Sequence, residues 1–133
     1  MTLACDTSIL IPLVAPWHPD RDTVLTHTAA ISSVPAHALL ECFSVLTRLP
    51  PPHRAPPAAA AAVLAALSMA PIALAAHQQR ELIIDCAAIG ISGGAVYDAL
   101  IGATAAAHGL MLLTRDARAR RTYDALGIEY RTV

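Results

Sequence analysis

The sequence predicts an α/β fold, a three-layer α/β/α sandwich around a central, mainly parallel sheet. Short apolar runs such as Leu3-Ala4-Cys5 and Leu110-Met111-Leu112-Leu113 recur along the chain and read as strands. Helix-type stretches separate them, the alternation that builds βαβ units. No internal repeat divides the 133 residues, a length that suits a single domain over 1–133 with its own core.

Each element follows from local signals. Leu3-Ala4-Cys5 is a short strand ending at Asp6, and Thr7 to Val14 reads as the helix after it. Pro16-Trp17-His18-Pro19 breaks the chain, after which Asp20 or Asp22 can cap a helix reaching about Thr28. Ala30-Ile31-Ser32-Ser33 forms a second strand, and Pro35 suits the first turn of a helix running to Arg48. The proline-rich stretch Pro50 to Pro57 can be neither helix nor ladder and predicts a stiff loop. Ala58 to Met69 is an alanine-rich helix, Ile72-Ala73-Leu74 a strand, and Gln78 to Ala88 a helix that stops at Gly90. Ala95 to His108 is helical and closes on Gly109. Leu110 to Leu113 is a buried strand, Ala117 to Leu126 a helix, and Ile128 to Arg131 the final strand after Gly127.

Composition narrows the chemistry. Only 14% of residues are charged, against roughly 25% in an average soluble domain. Net charge is −1, so no overall basic field advertises nucleic acid. All nine basic residues are Arg, which excludes a P-loop lysine, a Schiff-base lysine and the lysine that phosphoaspartate switches use. Cys5, Cys42 and Cys86 lie inside apolar runs without metal-ligand spacing and read as small buried residues of a reducing, cytoplasmic setting. The N-terminus has an acid by position 6 and no basic region, unlike a signal peptide. Residues 55–76 carry no charge but are mostly alanine and broken by Pro71, so a helix followed by a strand fits better than a membrane span.

Four carboxylates stand where the chain otherwise keeps charge out. Asp6 and Asp116 each follow an apolar strand and precede a helix, the edge where parallel sheets bind ligands. Asp is also a preferred helix N-cap, so either residue alone is equally well read as a cap. Glu41 shares a helix face with His37, Ser44 and Arg48, which alone would be a solvated stripe with a weak His37–Glu41 pair. Asp98 is more telling, since its helix has no other charge through Ala107. Small residues Ala95 and Gly102 share its face and would let backbone or a ligand approach closely. Asp85 serves as a control: Arg80 and Glu81 make its surroundings look solvated, so it is left out.

Together these residues resemble the PIN-domain nucleases, most closely the VapC-type toxins of toxin–antitoxin pairs. The resemblance covers nearly the whole chain. It rests on Asp6-Thr7-Ser8, on Glu41 within Ala38-Leu39-Leu40-Glu41-Cys42-Phe43-Ser44, on Asp98 within Tyr97-Asp98-Ala99-Leu100-Ile101-Gly102-Ala103, and on Leu112-Leu113-Thr114-Arg115-Asp116. It implies a pocket holding one or two Mg²⁺ or Mn²⁺ ions, with Asp6 and Asp98 as central ligands and Glu41 and Asp116 completing the acidic set. Ser8 and Thr114 match hydroxyl positions that support the acids. It further implies a homodimer, and a VapB-type antitoxin whose segment crosses the early helices; Trp17 and the Pro50–Pro57 loop are candidate contact points, each equally well read as a loop anchor.

The implied activity is a metal-dependent endoribonuclease toxin that cuts structured cellular RNA (tRNA, rRNA or mRNA) with Mg²⁺-activated water. Mg²⁺ is a hard cation that suits carboxylate oxygens, and a paired-ion site can serve both attacking and leaving oxygens. The chain offers no Ser/His/Asp order and no paired histidines for a metal-free ribonuclease. Arg115 and Arg118, beside Asp116, are candidates for holding RNA phosphates, Arg115 first because it lies nearest the strand edge; the plainer reading is a solvated helix face with Arg120 pairing to Asp124. Two rivals remain: a PIN-like RNA- or protein-binding module without catalysis, and a phosphotransfer domain with Asp6 as nucleophile, against which the missing lysine counts.

Overall fold

The structure, a computed structural model, describes residues 2–133. Five parallel strands form one sheet in the order β3-β2-β1-β4-β5. The central strand β1 (Leu3–Cys5) is buried throughout and pairs with β2 (Ile31–Pro35) on one side and β4 (Met111–Thr114) on the other. The edges are β3 (Ala70–Ile72), beside β2, and β5 (Tyr130–Thr132), beside β4.

Seven α-helices connect them. On the β1–β2–β3 side run α1 (Thr7–Val14), α2 (Arg21–Leu25), α3 (Ala36–Arg48) and α4 (Pro57–Ala65), packed one against another. The second group is α5 (Ala76–Ile89), α6 (Ala95–Ala107) and α7 (Ala117–Ala125). Right-handed crossovers send the first group over one face and the second over the other, because the chain reverses its direction of travel across the sheet after β3. That reversal makes the gap between β1 and β4 the topological switch point, where the loops leaving the two strands diverge and open a crevice.

The main core joins Leu3, Ile9, Leu10, Val24, Val34, Ile101, Leu112, Leu113 and Tyr123 across the sheet. A smaller cluster of Leu74, Leu82, Cys86 and Ala99 sits under α5 and α6. All three cysteines are free and buried, as their apolar contexts predict. Among the described residues no helix is long and apolar enough to cross a membrane.

Several boundaries differ from the sequence expectation, and proline explains most of them. Pro35 ends β2 opposite Ile72 instead of opening α3, a strand-end position where its missing N–H costs no ladder bond. The third strand lies two residues earlier than Ile72–Leu74, at Ala70–Ile72; Pro71 fits inside it because β3 is a sheet edge. Leu74 is thereby freed to bury itself in the smaller core. Helix α4 stops at Ala65 rather than Met69, and Met69 turns inward until its sulfur lies 3.9 Å from that of Cys5. The helix expected to reach Thr28 ends at Leu25, with a single 3₁₀ turn over Thr28–Ala30 leading into β2.

Candidate active site

Topology brings the four acids to one edge. Asp6 follows β1 and Asp116 follows β4, so they flank the switch-point crevice. Helix α3 begins at the carboxyl end of β2, which puts Glu41 in its second turn beside the same edge. Helix α6 has to deliver the chain to the start of β4, so its first turn, with Asp98, stands at the opposite, carboxyl edge. Asp6, Glu41, Asp98 and Asp116 all line one cavity of about 290 Å³ with Thr7, Ser8, Arg48, Arg118 and Tyr123. A neighbouring cavity shares Glu41, Arg48, Asp98 and Arg118 and extends the cleft toward Tyr97.

Asp6 is the anchor. It is only 3% exposed, and both carboxylate oxygens are committed. Oδ1 accepts from the backbone N–H of Ser8 at 3.0 Å and from the Ser8 hydroxyl. Oδ2 accepts from the hydroxyls of Thr114 and, at 2.9 Å, Tyr123. Ser8 Oγ in turn accepts from the backbone N–H of Arg115, and Thr114 Oγ1 from that of Asp116. The β1 and β4 loops are therefore stitched together through one buried carboxylate. Burial pushes the Asp6 carboxyl above the ordinary range, while its hydrogen bonds pull the other way.

The remaining acids are more open. Thr7 Oγ1 donates to Glu41 at 3.1 Å, and His37 stands 3.9 Å away on the same helix face. Asp116 caps α7, accepting from the N–H groups of Arg118 and Ala119 at 2.9 and 3.1 Å, yet still lines the cavity. Capping and site membership, alternatives in the sequence, coexist for both Asp6 and Asp116. Asp98 is half-buried and its carboxyl is pushed up to about 6, first by burial and then by Asp116 and Glu41, with Arg118 opposing. Among the described residues no three His, Cys, Asp or Glu side chains converge tightly enough to form a finished metal cage. Uncompensated carboxylates repel one another, and those of Asp6 and Asp116 are tied to local donors.

The fold has counterparts in known proteins. The PIN-domain family pattern matches residues 3–125. The chain is 44% identical over 132 residues to ribonuclease VapC40 of Mycobacterium tuberculosis, spanning 98% of each, and 42% identical over 127 residues to ribonuclease VapC27 of the same organism, spanning 95% of this chain and 93% of that one. The chain belongs to the PIN-domain family, on its VapC branch. The crystal structure of DNA-bound VapBC from Salmonella typhimurium shares its fold with a TM-score of 0.68 at 20% identity, over 99% of this chain and 98% of that one.

The basic residues of this PIN domain divide differently from their order in sequence. Arg118 lines both cavities, whereas the guanidinium of Arg115 is bound to Asp20 at 3.0 Å and holds the start of α2. Arg120 has no ion pair with Asp124, whose partner is the Tyr130 hydroxyl at 2.8 Å. Arg48, Tyr123 and Thr7 are polar lining residues that the sequence did not single out. Arg48 ends α3 seven residues after Glu41, on the same face, and that spacing was the available signal. Tyr123 had a fainter one, an aromatic ring alone in an arginine-rich helix. Gly102 explains its placement: a Cβ there would lie 3.0 Å from the Tyr123 ring, so the small face of α6 receives that ring rather than a ligand. Tyr123 is fully buried, and burial beside Asp6 pushes its hydroxyl well above its usual range, so it stays a donor.

Proposed function

We propose that this PIN domain is a metal-dependent endoribonuclease, the toxin of a toxin–antitoxin pair, cutting structured cellular RNA (tRNA, rRNA or mRNA). The observation that carries the reading is the convergence of Asp6, Glu41, Asp98 and Asp116 on one cavity at the switch point. The names of the relatives, ribonucleases at 44 and 42% identity, support it. The donor set fits Mg²⁺ or Mn²⁺: it is all carboxylate and hydroxyl oxygen, with no thiolate or imidazole pair. Mg²⁺ commonly takes one or two protein carboxylates and fills its remaining positions with water, so a loose ring of acids suits it better than a closed cage.

Asp6 and Asp98 would hold the ion, with Glu41 and Asp116 completing the negative field. When bound, such an ion supplies an activated water and neutralises charge on the phosphate being cleaved. The chain's own residues do the positioning. Ser8, Thr114 and Tyr123 aim the Asp6 carboxylate before any ligand arrives, and Thr7 does the same for Glu41. Arg48 on α3 and Arg118 on α7 both line the cleft and would grip phosphates of the bound strand. Arg115 acts through Asp20, fixing the loop that leads into α2.

The proposed partners are a VapB-type antitoxin and a second copy of the chain. Leu40 on α3 and Ile83 and Ile84 on α5 are 69, 65 and 68% exposed, bare apolar side chains that a homodimer would cover. The decisive test is incubation with cellular RNA in Mg²⁺ or Mn²⁺, in chelator, and with Asp98→Asn, mapping the new 5′ ends. Cleavage at recurring sites that needs metal and Asp98 is expected. If Asp98→Asn cuts RNA as well as the parent, the reading is wrong.

A further inference from the structure

One aromatic cluster has no part in the acidic site. Trp17, the chain's single tryptophan, is 41% exposed and stacks on His53 with centroids 4.0 Å apart and planes 25° from parallel. His18 adds a third ring, 5.6 Å from Trp17. The two partners come from separate loops, one between α1 and α2 and one after α3.

The plain reading is a latch joining those loops, but each loop is already pinned on its own. His18 N–H donates to the Ala15 carbonyl, and the Arg21 guanidinium binds the Leu13 carbonyl. In the other loop, Ala55 N–H returns to the Leu46 carbonyl at 2.9 Å, and Arg54 Nε to that of Leu49 at 2.8 Å. A latch would also gain most by burying the indole, and this one leaves a large part bare.

Its position ties it to the cleft. Trp17 lies three residues before Asp20, which holds Arg115, whose backbone N–H binds Ser8 beside Asp6. His53 lies five residues after Arg48, the last cleft-lining residue of α3. The stack is thus tied to the cleft through α3 on one side and through the Asp20–Arg115 pair on the other. Arg54 follows His53 directly and supplies positive charge beside it in sequence, and Arg48 lies five residues before it. An exposed flat ring next to guanidinium groups is the arrangement that receives a single-stranded nucleic acid, with bases on the ring and phosphates on the arginines.

We infer that the Trp17–His53 pair is a stacking platform for an unpaired base of the RNA strand held in the acidic cleft. The inference rests on the ribonuclease reading and adds to it a substrate feature: a strand that is unpaired beyond one side of the cut.

Trp17 reports on itself. A mixed-sequence single-stranded oligoribonucleotide, titrated into the full chain in chelator to prevent cleavage, should quench the tryptophan emission. A ribose-phosphate strand without bases should bind more weakly and leave the emission unchanged. Trp17→Ala should weaken binding of the oligoribonucleotide by about tenfold or more, and Trp17→Phe should restore most of it. A thermal melt of Trp17→Ala matching the parent establishes that the fold is intact. Unchanged emission, with Trp17→Ala binding RNA like the parent, overturns the platform while leaving the nuclease reading in place. Loss of the complex with a co-expressed VapB-type antitoxin in Trp17→Ala, with RNA binding unchanged, also overturns it and assigns the surface to that partner. The nuclease reading fails separately, by absence of any metal-dependent cleavage of cellular RNA.

Discussion

The switch-point cleft and the flank of α3 and α5 invert the usual placement of side chains in opposite ways. At the cleft, a chain with few charges gathers four carboxylates and buries one of them at 3% exposure. On the flank, in the same small domain, Leu40, Ile83 and Ile84 stand more than 60% exposed. Each inversion costs free energy in the isolated chain. Carboxylates crowded together without a cation repel, and bare isoleucines order water. The two costs call for different ligands: positive charge for the cleft and apolar surface for the flank. Within the cleft there is a second contrast, between Asp6, locked by four donors, and Asp98, whose charge is held up by little more than Arg118.

Asp98→Asn breaks this comparison most sharply. Removing a carboxylate proposed to hold the cation should lower cleavage roughly a thousandfold, the several kcal/mol that such an ion contributes. Stability should move the other way. The Asp98 carboxyl titrates near 6 when folded, above its unfolded value of 3.8, so the folded state binds the proton more tightly. Its destabilising contribution is fully present above pH 6 and disappears as pH falls toward 3.8. Metal-free protein should therefore gain a few degrees of Tm between pH 7.5 and 5, a modest gain because Asp98 is partly solvated. Asp98→Asn should be more stable than the parent at pH 7.5 and show a flatter profile. Equal profiles would mean that neither burial nor the neighbouring acids hold the Asp98 carboxyl up.

Gly102→Ala attacks the support of the site without touching an acid. Its new Cβ would meet Tyr123 at 3.0 Å and Ile128 at 3.2 Å, so ring or helix has to shift. A cost of roughly 1–3 kcal/mol is expected, read as a lower urea midpoint with unchanged slope. Metal-dependent cleavage should fall as well, because the displaced ring carries the hydroxyl that holds Asp6. Full activity in a destabilised variant would show that the Tyr123 contact is packing alone.

The acids stood out in sequence because charge is rare here: Asp6 and Asp116 follow predicted strands, Asp98 is alone in its helix, and Glu41 was picked out only by its company. Five strands and seven helices could be placed because short apolar runs alternate with helix-type stretches and glycine or proline marks many of the boundaries. What escaped was whatever depends on which side chain fills which space. Nothing local says that Gly102 receives Tyr123 rather than a ligand, since the two are twenty-one residues apart and meet only through packing of α6 on α7. Arg115 stands nearer the strand edge than Arg118, but direction decides, and Asp20 draws it away from the cleft. The third strand was set after Pro71 rather than across it, and that Pro71 fits inside depends on the strand being a sheet edge, a property of the whole sheet.

Tyr123→Phe isolates the hydroxyl from the ring. Asp6 would keep its Ser8 and Thr114 donors and lose one hydrogen bond, costing about 1–2 kcal/mol at a charged acceptor. Losing a supporting contact of this kind typically weakens metal affinity by about tenfold or more, so the Mn²⁺ concentration needed for half-maximal cleavage should rise while the rate at saturating metal stays close to the parent's. A loss of rate that added Mn²⁺ does not restore would place Tyr123 in the reaction itself.

Ile84→Ser tests the other half of the contrast and should have the smallest effect on the chain alone. Residue 84 is 68% exposed and packs against no core cluster, so intrinsic stability should change by no more than about 0.5 kcal/mol. Association is where the loss should appear. If the flank binds a second copy, sedimentation at micromolar concentration should shift toward monomer for Ile84→Ser and further for the double variant with Leu40→Ser. Cleavage per chain by the monomer should then be close to the parent's, because the four acids all come from one chain. A variant that stays dimeric would move the interface elsewhere. A monomer that loses activity would mean that the cleft draws on the second copy, and the two inversions would then be parts of one assembled site.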